Sequence, residues 1–119
     1  MHFLLVFIGG GLGSISRYGI ARLLKAQVWD YPLATFIANA LACIVLGMLM
    51  GLSLKGNLSN PTKLLLMTGF CGGFSTFSTF SAETFDLLQA GNYMYALANI
   101  GLSIMVCLFC IFIGLKFVG

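Results

Sequence analysis

The chain has 119 residues, 60% of them hydrophobic and only 8% charged, with a formal net charge of +3. A soluble domain carries about 25% charged residues and could not cover its surface with so few. The bases are too sparse and scattered for a nucleic-acid interface, so composition points to a single membrane domain over residues 1–119.

Stretches free of charged residues run from Met1 to Ser16, Tyr31 to Leu54, Leu64 to Ala82 and Leu87 to Leu115. A helix needs about 20 mostly apolar residues to cross a bilayer, and each stretch is near or above that reach. This predicts an all-α membrane protein with four transmembrane helices. The first begins at Phe3 with no basic segment before it and no small-residue cleavage site after it. It is expected to be a retained helix and not a removable leader. Its glycine run, "GGGLGSISR", is preceded by no strand, which excludes a phosphate-binding loop. Gly9 and Gly13 stand four apart, a spacing that lets helices approach closely in lipid. Arg17 closes the run. It either snorkels to the headgroups or lines an aqueous vestibule, where it would raise the local anion concentration.

Trp29, Tyr31 and Pro32 mark an interface and the start of the second helix. Asn39 is the strongest hydrogen-bonding group inside that helix, followed by Cys43 and Gly47 at four-residue intervals. An Asn at this depth serves either as glue between helices or as part of a polar path. The loop from Leu54 to Lys63 is polar and rich in turn formers. Four crossings place Lys55, Lys63 and Lys116 on the side of the termini and Arg17, Arg22 and Lys25 on the other. This balance gives the positive-inside rule nothing to act on. Either another feature fixes orientation, or the chain inserts both ways and pairs as an antiparallel, dual-topology homodimer about an axis in the membrane plane.

The third stretch holds the most unusual run, "GFCGGFSTFSTFSAE" from Gly69 to Glu83. Gly72-Gly73 weakens a helix, and neighbouring hydroxyls can capture the backbone groups it would have paired. A helix broken near Gly72–Ser75 would free carbonyls that lipid cannot satisfy, so the break must face protein or a polar cavity. Freed carbonyls suit a small hard cation such as Na⁺, which two protomers could enclose between them. Phe77 and Phe80, three apart, share a helix face. A phenyl edge is positive, so rings turned edge-on attract an anion weakly enough to release it. Ser78, Thr79 and Ser81 add hydrogen-bond donors. The plainer reading of this run is packing, with Phe filling gaps and Ser and Thr bonding back to their own helix. Glu83 and Asp86 follow, where the helix is expected to exit at the interface; gating or proton coupling by Glu83 is the other reading.

The fourth stretch carries Tyr95, Asn99, Ser103 and Cys107 at four-residue spacing, which keeps them on one stripe. Cys43, Cys71, Cys107 and Cys110 all lie in apolar segments and read as small packing groups. Cys107-x-x-Cys110 has redox spacing without the strand–helix context that redox motifs occupy. His2 is the only histidine, which leaves a His/Cys metal site without support.

"GFCGGFSTFSTFSAE", together with "GGGLGSISRY" and "ATFIANALACIVLG", resembles the conserved blocks of the Fluc or CrcB family of fluoride channels. The resemblance spans the whole chain. It implies a multi-pass protein of the cell membrane, working as an antiparallel homodimer that exports cytoplasmic fluoride passively through two pores. By resemblance Phe77 and Phe80 line the pores, with Asn39 from the second helix and Ser78, Thr79 and Ser81 beside the rings. Asn99 and Ser103 fall where a fourth-helix polar track is expected. The carbonyls of Gly72 and Ser75 match those that hold a central structural Na⁺. Phe74-Ser75-Thr76 stands where the family commonly has Leu-Thr-Thr, and the added ring of Phe74 has no role in that pattern. Two alternatives belong to other classes: a small dual-topology multidrug/proton antiporter and a structural membrane subunit. The antiporter needs a carboxylate deep in the membrane, but the only acids are Asp30, Glu83 and Asp86, none in the first helix. Enzymatic chemistry finds no paired carboxylates or nucleophile–base set.

Overall fold

The computed structural model describes residues 1–24 and 33–118. Trp29, Tyr31, Pro32, Lys25 and Asp30 lie outside the described residues. Helix α1 is His2–Leu24, α2 is Leu33–Leu54 and α5 is Tyr93–Val118, with no strand among the described residues. These three are the helices long and apolar enough to cross a membrane among the described residues, at 23, 22 and 26 residues.

The chain between α2 and α5 is divided. Helix α3, residues 60–74, opens with an α-turn at Asn60–Lys63, widens into a π-helical stretch at Leu64–Cys71 and closes with an α-turn at Gly72–Phe74. Its start is fixed by Ser59, whose side chain accepts from the Thr62 N–H, and by Pro61 in the first turn. Ser75 (φ −86°, ψ 158°) and Thr76 (φ −153°, ψ 128°) are extended. Helix α4 then runs from Phe77 to Gln89. Sequence reasoning placed a break near Gly72–Ser75. Both glycines are helical, and the two extended residues are Ser75 and Thr76.

Two helix ends stop in the same way. After α2, Gly56 adopts φ +77°. Its N–H bonds the Ser53 carbonyl at 3.0 Å, and the Asn57 N–H bonds the Leu52 carbonyl at 3.0 Å. After α4, Gly91 adopts φ +83°, with Gly91 N–H on Leu88 at 3.1 Å and Asn92 N–H on Leu87 at 2.9 Å. Each is a Schellman stop, which satisfies the last carbonyls before the chain turns back. Lys55 adds a tie at the same end of the molecule by donating to the Val118 carbonyl at the end of α5.

The helices pack as two tight pairs, α1 with α3 and α2 with α5, and α4 leans on α5. Glycine makes both pairings possible. A Cβ on Gly9 would land on the Leu65 carbonyl oxygen and one on Gly13 on that of Phe70; Gly73 faces the Gly10 carbonyl in the same way. Across the other pair, Gly47 abuts the Ile111 carbonyl and Gly114 that of Ile44. In lipid, where apolar side chains gain little by leaving the solvent, such backbone contact supplies much of the attraction. Ala38, Ala42 and Phe74 form the small core between the pairs, with Ile20 and Phe70 against it. Large side chains such as Phe3, Phe7, Phe109 and Phe117 point outward, as a bilayer-facing surface allows.

Candidate ion path at the extended link between α3 and α4

An extended link between two helix ends leaves backbone groups that need partners. Asn39, in the second turn of α2, supplies two of them. Its Oδ1 accepts from the Thr76 N–H at 2.9 Å, and its Nδ2 donates to the Thr76 carbonyl at 3.3 Å. One side-chain amide therefore reads the backbone of Thr76 as a neighbouring strand would. Thr76 in turn caps α4, its hydroxyl accepting from the Thr79 N–H at 3.3 Å and lying 3.2 Å from the Ser78 hydroxyl. On the other side, the Ser75 N–H (3.0 Å) and hydroxyl (2.8 Å) both donate to the Cys71 carbonyl. Arg17 reaches across from α1, its Nε donating to the Gly73 carbonyl at 3.2 Å. A cation at the C-terminal end of α3 meets that helix's negative pole.

The link opens onto a groove of about 280 Å³, with Asn39, Ser75, Phe77, Phe80 and Ser103 among its walls. The rings of Phe77 and Phe80 are 5.8 Å apart between centroids and tilted by 39°. Phe77 is 79% exposed, so in the single chain one wall of the groove is open. The polar partners are hydroxyls and one amide, which can donate to a small anion without holding a charge of their own.

Not all the predicted site residues gather here. Ser78 and Ser81 are exposed, and Thr79 is half-buried with its hydroxyl 3.4 Å from that of Thr76. Asn99 is 1% exposed. Its Nδ2 donates to the Thr84 hydroxyl at 2.8 Å, and its Oδ1 accepts from Ser103 at 3.3 Å. The Thr84 hydroxyl in turn donates to the Phe80 carbonyl at 2.8 Å. A buried polar chain therefore runs from the groove wall at Ser103 to the backbone of a groove ring. Phe74, without an assigned place in the sequence, is buried in the core and tilted 47° against Phe70 at 5.4 Å. Asp86 is exposed and Glu83 half-buried. Glu83 Oε1 is enclosed with no hydrogen-bond partner among the described residues, and the buried Thr35 lies beside the carboxyl.

Sequence reasoning passed over Thr76 and Thr84. The signal for Thr84 was its position four after Phe80, where a hydroxyl returns to its own helix. For Thr76 there was none, since its role depends on α2. The carbonyls of Gly72 and Ser75 each immediately precede in the chain one that is taken, Gly73 by Arg17 and Thr76 by Asn39. Gly72 is exposed, with open space where a Cβ would stand.

The model of the family described as "CrcB-like protein, Camphor Resistance (CrcB)" matches residues 4–115. Among curated proteins, the chain is 48% identical to a "Fluoride-specific ion channel FluC" of Pyrococcus horikoshii, over 92% of this chain and 89% of that protein. It is 46% identical to the protein of the same name in Pyrococcus abyssi, over 93% and 90%. For that of Azobacteroides pseudotrichonymphae the identity is 50%, over 81% and 82%.

Proposed function

The chain belongs to the CrcB family, and from that membership we infer that it is a fluoride-selective ion channel of the cell membrane. It is a multi-pass transporter of ions and not an enzyme. The observation that carries the route is the Asn39 amide clasping Thr76, because this is what turns Phe77, Phe80 and Ser103 into one groove. Fluoride, a small and strong hydrogen-bond acceptor, moves along the groove past ring edges and the donors of Asn39 and the hydroxyls. Each contact is weak enough to let it leave. An inside-negative potential worth about 2.3 kcal/mol per 100 mV drives the anion outward, so no coupling chemistry is required.

In this reading α3 and α4 together make the fourth crossing, and the link between them lies at membrane depth. The open wall at Phe77 is closed by a second, antiparallel copy, giving two paths per dimer. The donor set at the link also fits a structural Na⁺. Gly72 and Ser75 would offer neutral carbonyl oxygens, the hard ligands this ion takes. Two per chain are too few alone, so the ion belongs between two copies. When bound there, Na⁺ would supply positive charge that ties the two α3 ends together.

The test is efflux of fluoride and of chloride from liposomes holding the purified protein, under the same ionophore clamp. Fast fluoride loss with chloride retained is the expected result. If a folded protein releases neither ion, the groove is packing and the structural-subunit alternative replaces the channel. Equal release of both removes the selectivity claim.

A further inference from the structure

The four cysteines are free thiols, and the anion path described above uses none of them. Two stand where a permeating ion would meet them. Cys43 on α2 and Cys107 on α5 are both half-buried and both line the groove that holds Phe77 and Phe80. Cys43 stands one turn before Gly47 and Cys107 one turn before Ile111, which meet at the α2–α5 seam, so the two thiols come from neighbouring helices at the same level of one groove. The other two are placed differently. Cys71 is buried beside a neighbouring pocket of about 150 Å³ that Cys43 and Ser75 also line, and Cys110 is buried in α5.

We propose that Cys43 and Cys107 form a site for a thiophilic, two-coordinate divalent cation of the Hg(II) type, whose binding closes the groove. The ligand count selects the ion. Among the described residues, no group of three or more His, Cys, Asp or Glu is placed to hold a metal. Ions that require tetrahedral or octahedral shells are therefore poorly served. Soft thiolates prefer soft cations, and linear coordination asks only for two sulfurs facing each other. Charge then selects the valence. Each S–H bond breaks and its proton goes to water, two S–Hg bonds form, and the two thiolate charges cancel the two on the ion. Nothing is oxidised or reduced. The product is neutral, which apolar surroundings tolerate. A monovalent soft ion held by the same pair would leave one uncompensated negative charge in the groove.

The groove makes the site consequential. A bound ion bridges α2 to α5 alongside Phe80 and occupies space that a permeating anion needs. The block part of the inference rests on the channel reading, whereas the binding part does not, and the experiment separates the two. Purified full-length protein is titrated with Hg(II) nitrate, with bound metal and remaining free thiols counted, and the same samples are used for fluoride efflux from liposomes. One tightly bound ion per chain, with two thiols lost per ion, is expected. Block should be complete and reversed by excess dithiothreitol. Cys43→Ser and Cys107→Ser each lose the ion and the block, while Cys71→Ser/Cys110→Ser keeps both. Cys43→Ala and Cys107→Ala repeat the test if a serine is not tolerated. Binding and block that survive loss of the pair overturn the site, as does a response lost in only one of the two single variants. If the wild type binds one ion through the pair but never passes fluoride, the site stands and the channel reading falls.

Discussion

The α1–α3 seam and the groove beside α4 are made by adjacent halves of one run, and they are built on opposite plans. Gly69 and Gly73 belong to the seam, where the absence of a side chain lets backbones touch. Ser75, Thr76, Phe77 and Phe80 belong to the groove, where side chains are kept and space is left between them. The change falls between Phe74 and Ser75, inside a sequence that looks like a repeat. Its three rings consequently have three fates: Phe74 is 6% exposed, Phe77 is 79% exposed, and Phe80 is half-buried in the groove wall. A repeated triplet therefore does not mean a repeated role, because the backbone changes from helical to extended partway through it.

The sharpest way to break this comparison is to remove one ring from each side. Phe74→Ala empties the core beside Ala38 and Ala42, and is expected to cost about 3–5 kcal/mol. It should appear as loss of monodisperse protein after mild heating in detergent. Phe77→Ala leaves that core untouched, so the thermal midpoint should hold while fluoride efflux falls. Equal destabilisation by the two would mean that the groove ring is packing after all.

Next in size is the seam itself. Gly13→Val sets a branched side chain against the backbone of Phe70 and Phe74, which cannot retreat without separating α1 from α3. Overpacking of this kind costs about 1–3 kcal/mol, and more where the neighbour is backbone. Gly11→Ala, on the open side of the same helix with nothing near its Cβ, is the matched control and should be tolerated. Thermal stability in detergent separates them.

Asn39→Ala comes third and acts on the boundary. It strands the Thr76 N–H and carbonyl, and each buried group left without a partner costs about 1–3 kcal/mol. Water entering the groove would relieve part of that cost. Flux is therefore expected to suffer more than stability, since the rings lose their fixed angle while the helices remain packed. Parallel efflux and thermal measurements test this, and a variant with wild-type efflux would remove Asn39 from the path.

The same division explains what could be read from the sequence. Three spanning helices were legible because charge-free length alone dictates them. The Gly9–Gly13 seam was legible from its spacing. A break was expected near Gly72–Ser75, but both glycines are helical and Gly73 packs against Gly10; tertiary contact overrode a weak local preference. Asn39 was singled out as a polar group at depth, whereas its partner Thr76 could not be, since nothing local reveals a bond across 37 positions. Asn99 was expected along a polar track. It lies inside the protein because Thr84, one helix away, takes its amide. Spacing shows which residues share a stripe but not which neighbour covers it.

The smallest expected effect is at Ser75, and it sharpens the boundary most finely. The Ser75 hydroxyl donates to the Cys71 carbonyl, which already accepts from the Ser75 N–H. Ser75→Thr keeps that hydroxyl, and the extended backbone suits a β-branched residue. Its stability should change by less than about 0.5 kcal/mol. Ser75→Ala removes one of two bonds to a carbonyl that stays satisfied, so its loss should be at most about 1 kcal/mol. The pair also tests the cation proposed at the link. If Na⁺ is held by the Ser75 carbonyl, both variants should keep the wild-type dependence of dimer stability on Na⁺, because neither changes the backbone oxygen. Replacing Na⁺ by N-methylglucamine in detergent and following the dimer-to-monomer ratio gives the readout. A dependence lost in Ser75→Ala but kept in Ser75→Thr would transfer the ligand from the carbonyl to the hydroxyl, and would place the ion on the groove side of the boundary instead of at the end of α3.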